Sequence, residues 1–273
     1  MTLVDPTTYT DTIAAEGARI SAIARGAPLD ARVPHLRRWR LADVVGHLGG
    51  VHRWAAEVVE RRSMSVGRRR GREEGDALID WFDDGVAHLV ATLEADEPDA
   101  PCPNFSPGSE NTVLFWARRQ AHETTMHRWD AESSVGRITP FSPAFATDGI
   151  DELFATFTRS RGRQVLTEPI ALVTTDTGAE WVVSPAVKGG RIDVARPRSR
   201  PHGLTTIEGT AEALELALWH RLSFDEARLT ITGRRDAAEA FVAGPSARSA
   251  APVPAPVHGD VSAVRAASRR PGR

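Results

Sequence analysis

In the segment Ala121-His-Glu-Thr-Thr-Met-His-Arg-Trp-Asp130, Glu123 and His127 stand four residues apart, and a second carboxylate, Asp130, follows three residues later. On a helix, Glu123 and His127 share one face a single turn apart. That spacing offers two ligands to one metal ion. A third ligand has to come from elsewhere, and His47 is the best candidate. It lies between Val44 and Val51, at i−3 and i+4, so it sits on an apolar stripe and not on a solvent face. Two imidazoles and one carboxylate leave at least one coordination position open, as in catalytic zinc sites and nonhaem Fe(II) triads. Closed structural zinc sites use four ligands and favour Cys, and this chain has one Cys. Asp130 is placed to accept a hydrogen bond from a ring nitrogen of His127. The competing readings are plain ones. A lone His on an apolar stripe is commonly a hydrogen-bonded core residue, and Asp130 could equally be a solvated helix residue.

The helical wheel of this segment adds weight. The row 116, 120, 123, 127, 130 reads Trp, Gln, Glu, His, Asp, beside a row of small residues, Val113, Ala117, Ala121 and Thr124. A polar row is unexpected on a helix that faces a core, because buried carboxylates and imidazoles are costly unless paired or metal-bound. His52 lies about 140° round its helix from His47, and His122 points about 100° away from Glu123. His88 falls near the buried stripe of the third helix. Each reads as structural or exposed rather than as a ligand.

The elements that must hold these residues are helical over the first 160 residues. Apolar periodicity predicts helices over residues 8–25, 41–62, 75–95 and 112–134. Connections rich in Pro and Gly separate them, at Ala27-Pro28 and from Pro101 to Gly108. Four such helices predict an antiparallel bundle with one longer crossing loop. Gly49-Gly50 interrupts the second helix, where it either admits a neighbouring helix or opens room near His47. A fifth helix, 144–160, leads out of the bundle.

The pattern then changes to α+β. Ile170 to Thr175 is β-rich, the turn Asp176-Thr-Gly178 follows, and Trp181-Val-Val183 continues as a second strand, which predicts a hairpin. Further strands are expected at 191–195, 204–208 and 227–232, with helices at 210–222 and 235–243. The expected fold class is therefore a helical bundle over 1–163 and a smaller α+β domain over 164–243. Residues 244–273 are mostly Ala, Pro, Ser, Val, Gly and Arg, and read as a disordered tail.

The bulk numbers exclude several classes. A net charge of −2 gives no global field toward nucleic acid or anionic lipid. No apolar run approaches the roughly 18 residues of a membrane span, and no signal peptide is expected. The single Cys102 cannot form an internal disulfide, which favours a reducing cytoplasm. In its Pro-rich stretch it reads as an incidental thiol.

The pattern Trp39-Arg-Leu-Ala-Asp-Val-Val-Gly-His47-Leu-Gly-Gly, followed by Glu123-xxx-His127-Arg-Trp-Asp130, resembles the mycothiol-dependent maleylpyruvate isomerase family of the DinB-like bundle superfamily. The second half is similar too, in Leu172-Val-Thr-Thr-Asp176-Thr-Gly-Ala-Glu-Trp181, Glu208-Gly-Thr-Ala211 and Leu218-Trp-His-Arg221. The resemblance covers nearly the whole chain except the tail. It implies a DinB-like bundle whose His47, Glu123 and His127 bind a divalent metal, zinc by preference, with mycothiol as thiol cofactor. It also implies that Arg221 reaches toward the site from the second domain in a catalytic role. The chain departs from the family at Ile231-Thr-Gly233-Arg234-Arg235-Asp236, with two arginines where relatives tend to show Gly-Asp directly.

The expected function is thus a metal-dependent enzyme that uses mycothiol in thiol transfer to, or thiol-assisted isomerisation of, a small electrophile. The expected partners are that electrophile and mycothiol, with the chain as monomer or homodimer. Metal-assisted hydrolysis by a bound water and a non-catalytic ligand-binding bundle stand as alternatives.

Overall fold

The computed structural model describes residues 6–67, 73–106, 109–157, 166–185, 192–197 and 201–243. Seven helices and five strands are found among them. The first four helices are α1 (Pro6–Gly26), α2 (Leu41–Arg61), α3 (Asp76–Glu94) and α4 (Val113–Val135), within a residue or two of the sequence expectation. Their ends have local causes. The Asp43 side chain accepts from the Arg40 backbone N–H at the start of α2 (3.0 Å). Thr112 caps α4 by accepting from Phe115 N. Gly136, with φ 69°, ends α4 in the left-handed conformation that a residue lacking Cβ adopts freely.

The bundle differs from expectation in its connections. α1 packs on α3 and α4, and α2 packs on α3 and α4, while α1 meets α2 only slightly. Both the 27–40 and the 95–112 connections therefore cross the bundle, where one crossing loop was expected. The arrangement places α2 beside α4, which is what His47 needs to approach Glu123 and His127.

After α5 (Pro143–Phe157) come β1 (Ile170–Thr174), β2 (Glu180–Pro185), β3 (Ile192–Ala195), β4 (Thr205–Gly209), α6 (Ala211–Leu218), β5 (Thr230–Thr232) and α7 (Arg235–Val242). The sheet order is β3-β2-β1-β4-β5. The hairpin β1–β2 is antiparallel, with Leu172 opposite Trp181. β4 joins the other edge of β1 in parallel. The α6 helix stops at Leu218, four residues before the sequence expectation, and β5 begins at Thr230 where 227 was expected.

Two cores result. Tyr9, Ile13, Leu48, Val58, Phe82, Leu89 and Trp116 belong to the bundle core. The second core joins Trp181, Ile207, Leu214 and Phe241 to Ile150 and Phe154 of α5 and to Met126 and Trp129 of α4. α4 therefore has an apolar patch in each core, and its polar row runs between them. The expected domain boundary near 163 and the expected tail 244–273 lie outside the described residues. No helix among the described residues is long and apolar enough to cross a membrane.

Candidate metal centre

α2 contributes His47 and α4 contributes Glu123 and His127, and one donor atom from each lies within 4.8 Å of the others. His47 Nε2 is 3.5 Å from Glu123 Oε1, and His127 Nε2 is 3.4 Å from the same oxygen. These separations exceed a well-formed N–H···O bond of about 2.7–3.2 Å. They match the roughly 3.4 Å edge of a tetrahedron whose ligands sit about 2.0–2.2 Å from zinc. The two imidazole rings meet edge to face, with centroids 5.0 Å apart. His127 is buried, His47 nearly so, and the Glu123 side chain is 19% exposed, so the cluster opens on the glutamate side. No fourth His, Cys, Asp or Glu joins this group among the described residues.

The surrounding side chains fix what each donor offers. His127 Nδ1 lies 2.8 Å from Asp130 Oδ2. An ionised carboxylate only accepts, so Nδ1 carries the proton and the Nε2 lone pair faces Glu123 and His47. Asp130 is fully buried and takes three more bonds. Arg221 Nε donates to Oδ1 (2.9 Å), Arg221 Nη2 to Oδ2 (2.7 Å), and His35 Nε2 to Oδ1 (2.8 Å). Burial pushes the Asp130 carboxyl up, but the Arg221 guanidinium, His127 and His35 hold it well below the usual range. Burial likewise pushes Glu123 up, and His127, His47 and Arg119 outweigh it, so Glu123 is ionised. Burial pulls His127 down, whereas Asp130 and Glu123 raise it above its ordinary value.

Arg119, one turn before Glu123, donates to Glu123 Oε2 (2.8 Å) and also pairs with the buried Glu152 of α5. That engages Oε2 and leaves Oε1 toward the histidines. Trp39, in the 27–40 connection, stacks on His127 with planes 9° apart and centroids 5.7 Å apart, and meets His47 edge-on at 5.0 Å. A cavity of about 850 Å³ lies between the two halves, lined among others by His35, Trp129, His220, Arg221, Phe224 and Arg235. His47, Glu123 and His127 do not line it. It is separated from the donor cluster by Asp130 and its partners.

The other sequence candidates fall as follows. Arg221 is buried, but its contacts are Asp130 and the Trp219 carbonyl, so it faces the donor cluster through Asp130 and does not touch it. The turn after α6 aims it there: His220 takes φ 58°, a left-handed conformation to which His is better suited than most residues, and Arg221 N bonds back to Leu216 O. His52 donates to Thr124 Oγ1, whose own proton goes to Gln120 O, and burial pulls its pKa down to about 3. His122 bonds Asp148 (2.9 Å). His88, read as structural or exposed near the buried stripe, is exposed and pairs with Glu60, because α3 turns that face to solvent. Cys102 is buried, and burial raises its thiol pKa, consistent with an unreactive side chain. Arg234 and Arg235, the family departure, form exposed ion pairs with Asp236 and Glu168, and with Asp225 and Glu239.

Sequence reasoning did not weigh His35, Arg119 or Glu152. Arg119 carried a signal, the i,i+4 spacing to Glu123. His35 sits in an irregular connection, where no periodicity points anywhere.

Residues 10–132 match the family model described as mycothiol maleylpyruvate isomerase N-terminal domain. Among solved structures, a crystal structure of the mycothiol-dependent maleylpyruvate isomerase superposes with a TM-score of 0.59 at 11% identity, covering 85% of this chain and 95% of that one. A histidine-to-alanine mutant of that isomerase gives the same values. At this identity the likeness establishes a shared fold across both halves. A search of curated proteins finds no match to the chain.

Proposed function

We propose that this chain, whose residues 10–132 match the family model described as mycothiol maleylpyruvate isomerase N-terminal domain, is a metal-dependent, mycothiol-using isomerase or S-transferase acting on a small electrophile. His47, Glu123 and His127 would hold a divalent cation, with zinc the best match to the donor set. The observation that carries the reading is the convergence of three donor atoms within 4.8 Å of one another, with both histidine nitrogens at tetrahedral-edge spacing from the Glu123 oxygen and one face left open. A divalent cation in such a place supplies the Lewis acidity that keeps a thiol as thiolate near neutral pH.

The chain's own residues supply the rest. Asp130 holds the Nδ1 proton of His127 and keeps Nε2 available as a donor. Arg119 occupies one oxygen of Glu123 and orients the other. Trp39 covers the face of His127 and keeps water from it. Arg221 positions Asp130 from the second half of the chain. The charges fit this assignment. Glu123, Glu152 and Asp130 against Arg119 and Arg221 leave one negative charge in excess, which a divalent cation held there would offset. We also propose 1–163 and 164–243 as the two domains, with 244–273 as a tail.

Elemental analysis of the purified chain, paired with calorimetry against mycothiol, tests site and cofactor together. About one zinc per chain and thiol binding that needs the metal are expected. In His47→Ala the stoichiometric zinc should vanish; a variant that keeps all of it rejects the ligand set. Turnover of an electrophile without any thiol would point to hydrolysis instead.

A further inference from the structure

The 27–40 connection sends two rings toward the donor cluster from outside α2 and α4, one onto His127 and one onto Asp130. Trp39 covers the ring face, and His35 reaches the far oxygen of Asp130. The connection is itself well tied. Val33 N bonds Trp39 O, Leu41 N bonds Ala31 O, and Arg32 bridges to Arg40. The His35 ring is held against Trp129 with centroids 4.6 Å apart, and its side chain is only 12% exposed, on the wall of the interdomain cavity.

Resting on the proposed metal reading, we propose that His35 is a positioning residue for the metal centre, fixing Asp130 and thereby the ring plane and Nδ1–H tautomer of His127. The geometry explains why Arg221 alone is not enough. Arg221 grips both oxygens of Asp130 in a fork, and a carboxylate held by one fork can still pivot about it. Such a pivot would carry Oδ2 off the His127 Nδ1–H. His35 Nε2 bonds Oδ1 from a third element and removes that freedom. Partners one step behind a metal ligand that act in this way typically change metal affinity by about 10–100-fold.

The test uses the full chain and three variants, His35→Ala, His35→Gln and His88→Ala. Cobalt(II) is the metal probe, because its visible spectrum reports ligand geometry. His35→Ala should weaken cobalt affinity by about tenfold in chelator competition and alter the visible bands. His35→Gln, whose amide N–H can reach the same oxygen, should restore most of both, and His88→Ala should match the parent. Parent-like affinity and spectrum in His35→Ala overturn the inference, and so does a loss that His35→Gln leaves unrepaired. If the parent binds neither cobalt nor zinc, the metal reading itself has failed. Nitrogen NMR of the metal-free His127 ring then decides for His35. A single Nδ1–H tautomer in the parent that becomes mixed in His35→Ala supports positioning, and identical tautomers overturn it.

Discussion

Four donors meet the two oxygens of Asp130, and a carboxylate with both oxygens doubly engaged holds its charge even when fully buried. The opposite case lies nearby in the same interior. Glu215 of α6 is buried with no hydrogen-bond partner for Oε2, and desolvation together with the neighbouring Glu152 raises its pKa well above the usual carboxyl range. Glu215 therefore holds its proton to higher pH than a solvated carboxyl does. The native state keeps a proton that the unfolded chain releases near pH 4, at about its unperturbed pKa. The stability this proton contributes is complete below that value and is lost as pH rises through the folded pKa. Glu215→Gln should therefore flatten the decline of stability that sets in as pH rises above about 4. Its melting temperature above neutrality should rise by about 2–4 °C for each kcal/mol recovered. Calorimetric scans of both proteins from pH 5 to about 9 measure this; parallel curves would remove Glu215 from the account.

Among the elements, α2 depends on a close approach that only a glycine permits. A Cβ on Gly49 would lie 2.4 Å from the Trp81 ring of α3, and that ring is locked beneath Arg53, whose guanidinium sits 4.0 Å from its centroid. Trp81 cannot swing aside cheaply, so Gly49→Ala should destabilise the fold by about 1–3 kcal/mol through overpacking, read from urea unfolding. Gly49 of the Gly-Gly pair thus serves helix approach, the first of the two roles open from sequence. α4 shows why some of the site was legible and some was not. The spacing of Glu123, His127 and Asp130 was visible because helical geometry fixes it. The reason a core helix tolerates that polar row was not visible. It lies between two cores, with Trp116 in one and Trp129 in the other, and the second core is assembled from residues up to 241. The hairpin β1–β2 was likewise readable from its turn, whereas the parallel β1–β4 pairing joins segments 35 residues apart in register and leaves no local mark.

At the scale of the molecule, the Arg221–Asp130 fork is a charged link between the second half and the site. Removing the guanidinium would leave Asp130 buried with two histidine donors and no permanent counter-charge. Arg221→Ala should cost about 3–5 kcal/mol, as one-sided breaks of buried pairs do. Arg221→Lys should restore little, because an ammonium cannot span both oxygens. Denaturation midpoints and zinc affinity, measured on both variants, check this; full rescue by Lys would mean that charge alone suffices.

Periodicity and turn chemistry in the sequence alone set the helices, the hairpin and the facing of Glu123 toward His127, because each depends on neighbours a few residues away. The sequence also carried the residues that resemble a mycothiol-dependent family. Only the tertiary structure decided that α2 lies beside α4, that His35, Arg119 and Glu152 join the cluster, and that Arg221 acts through Asp130. Apart from Arg119 with Glu123, one turn apart on α4, those contacts run between different elements, up to 95 residues apart in the case of His35 and Asp130. Their geometry is set by how the two cores pack around α4, and no local spacing rule contains it.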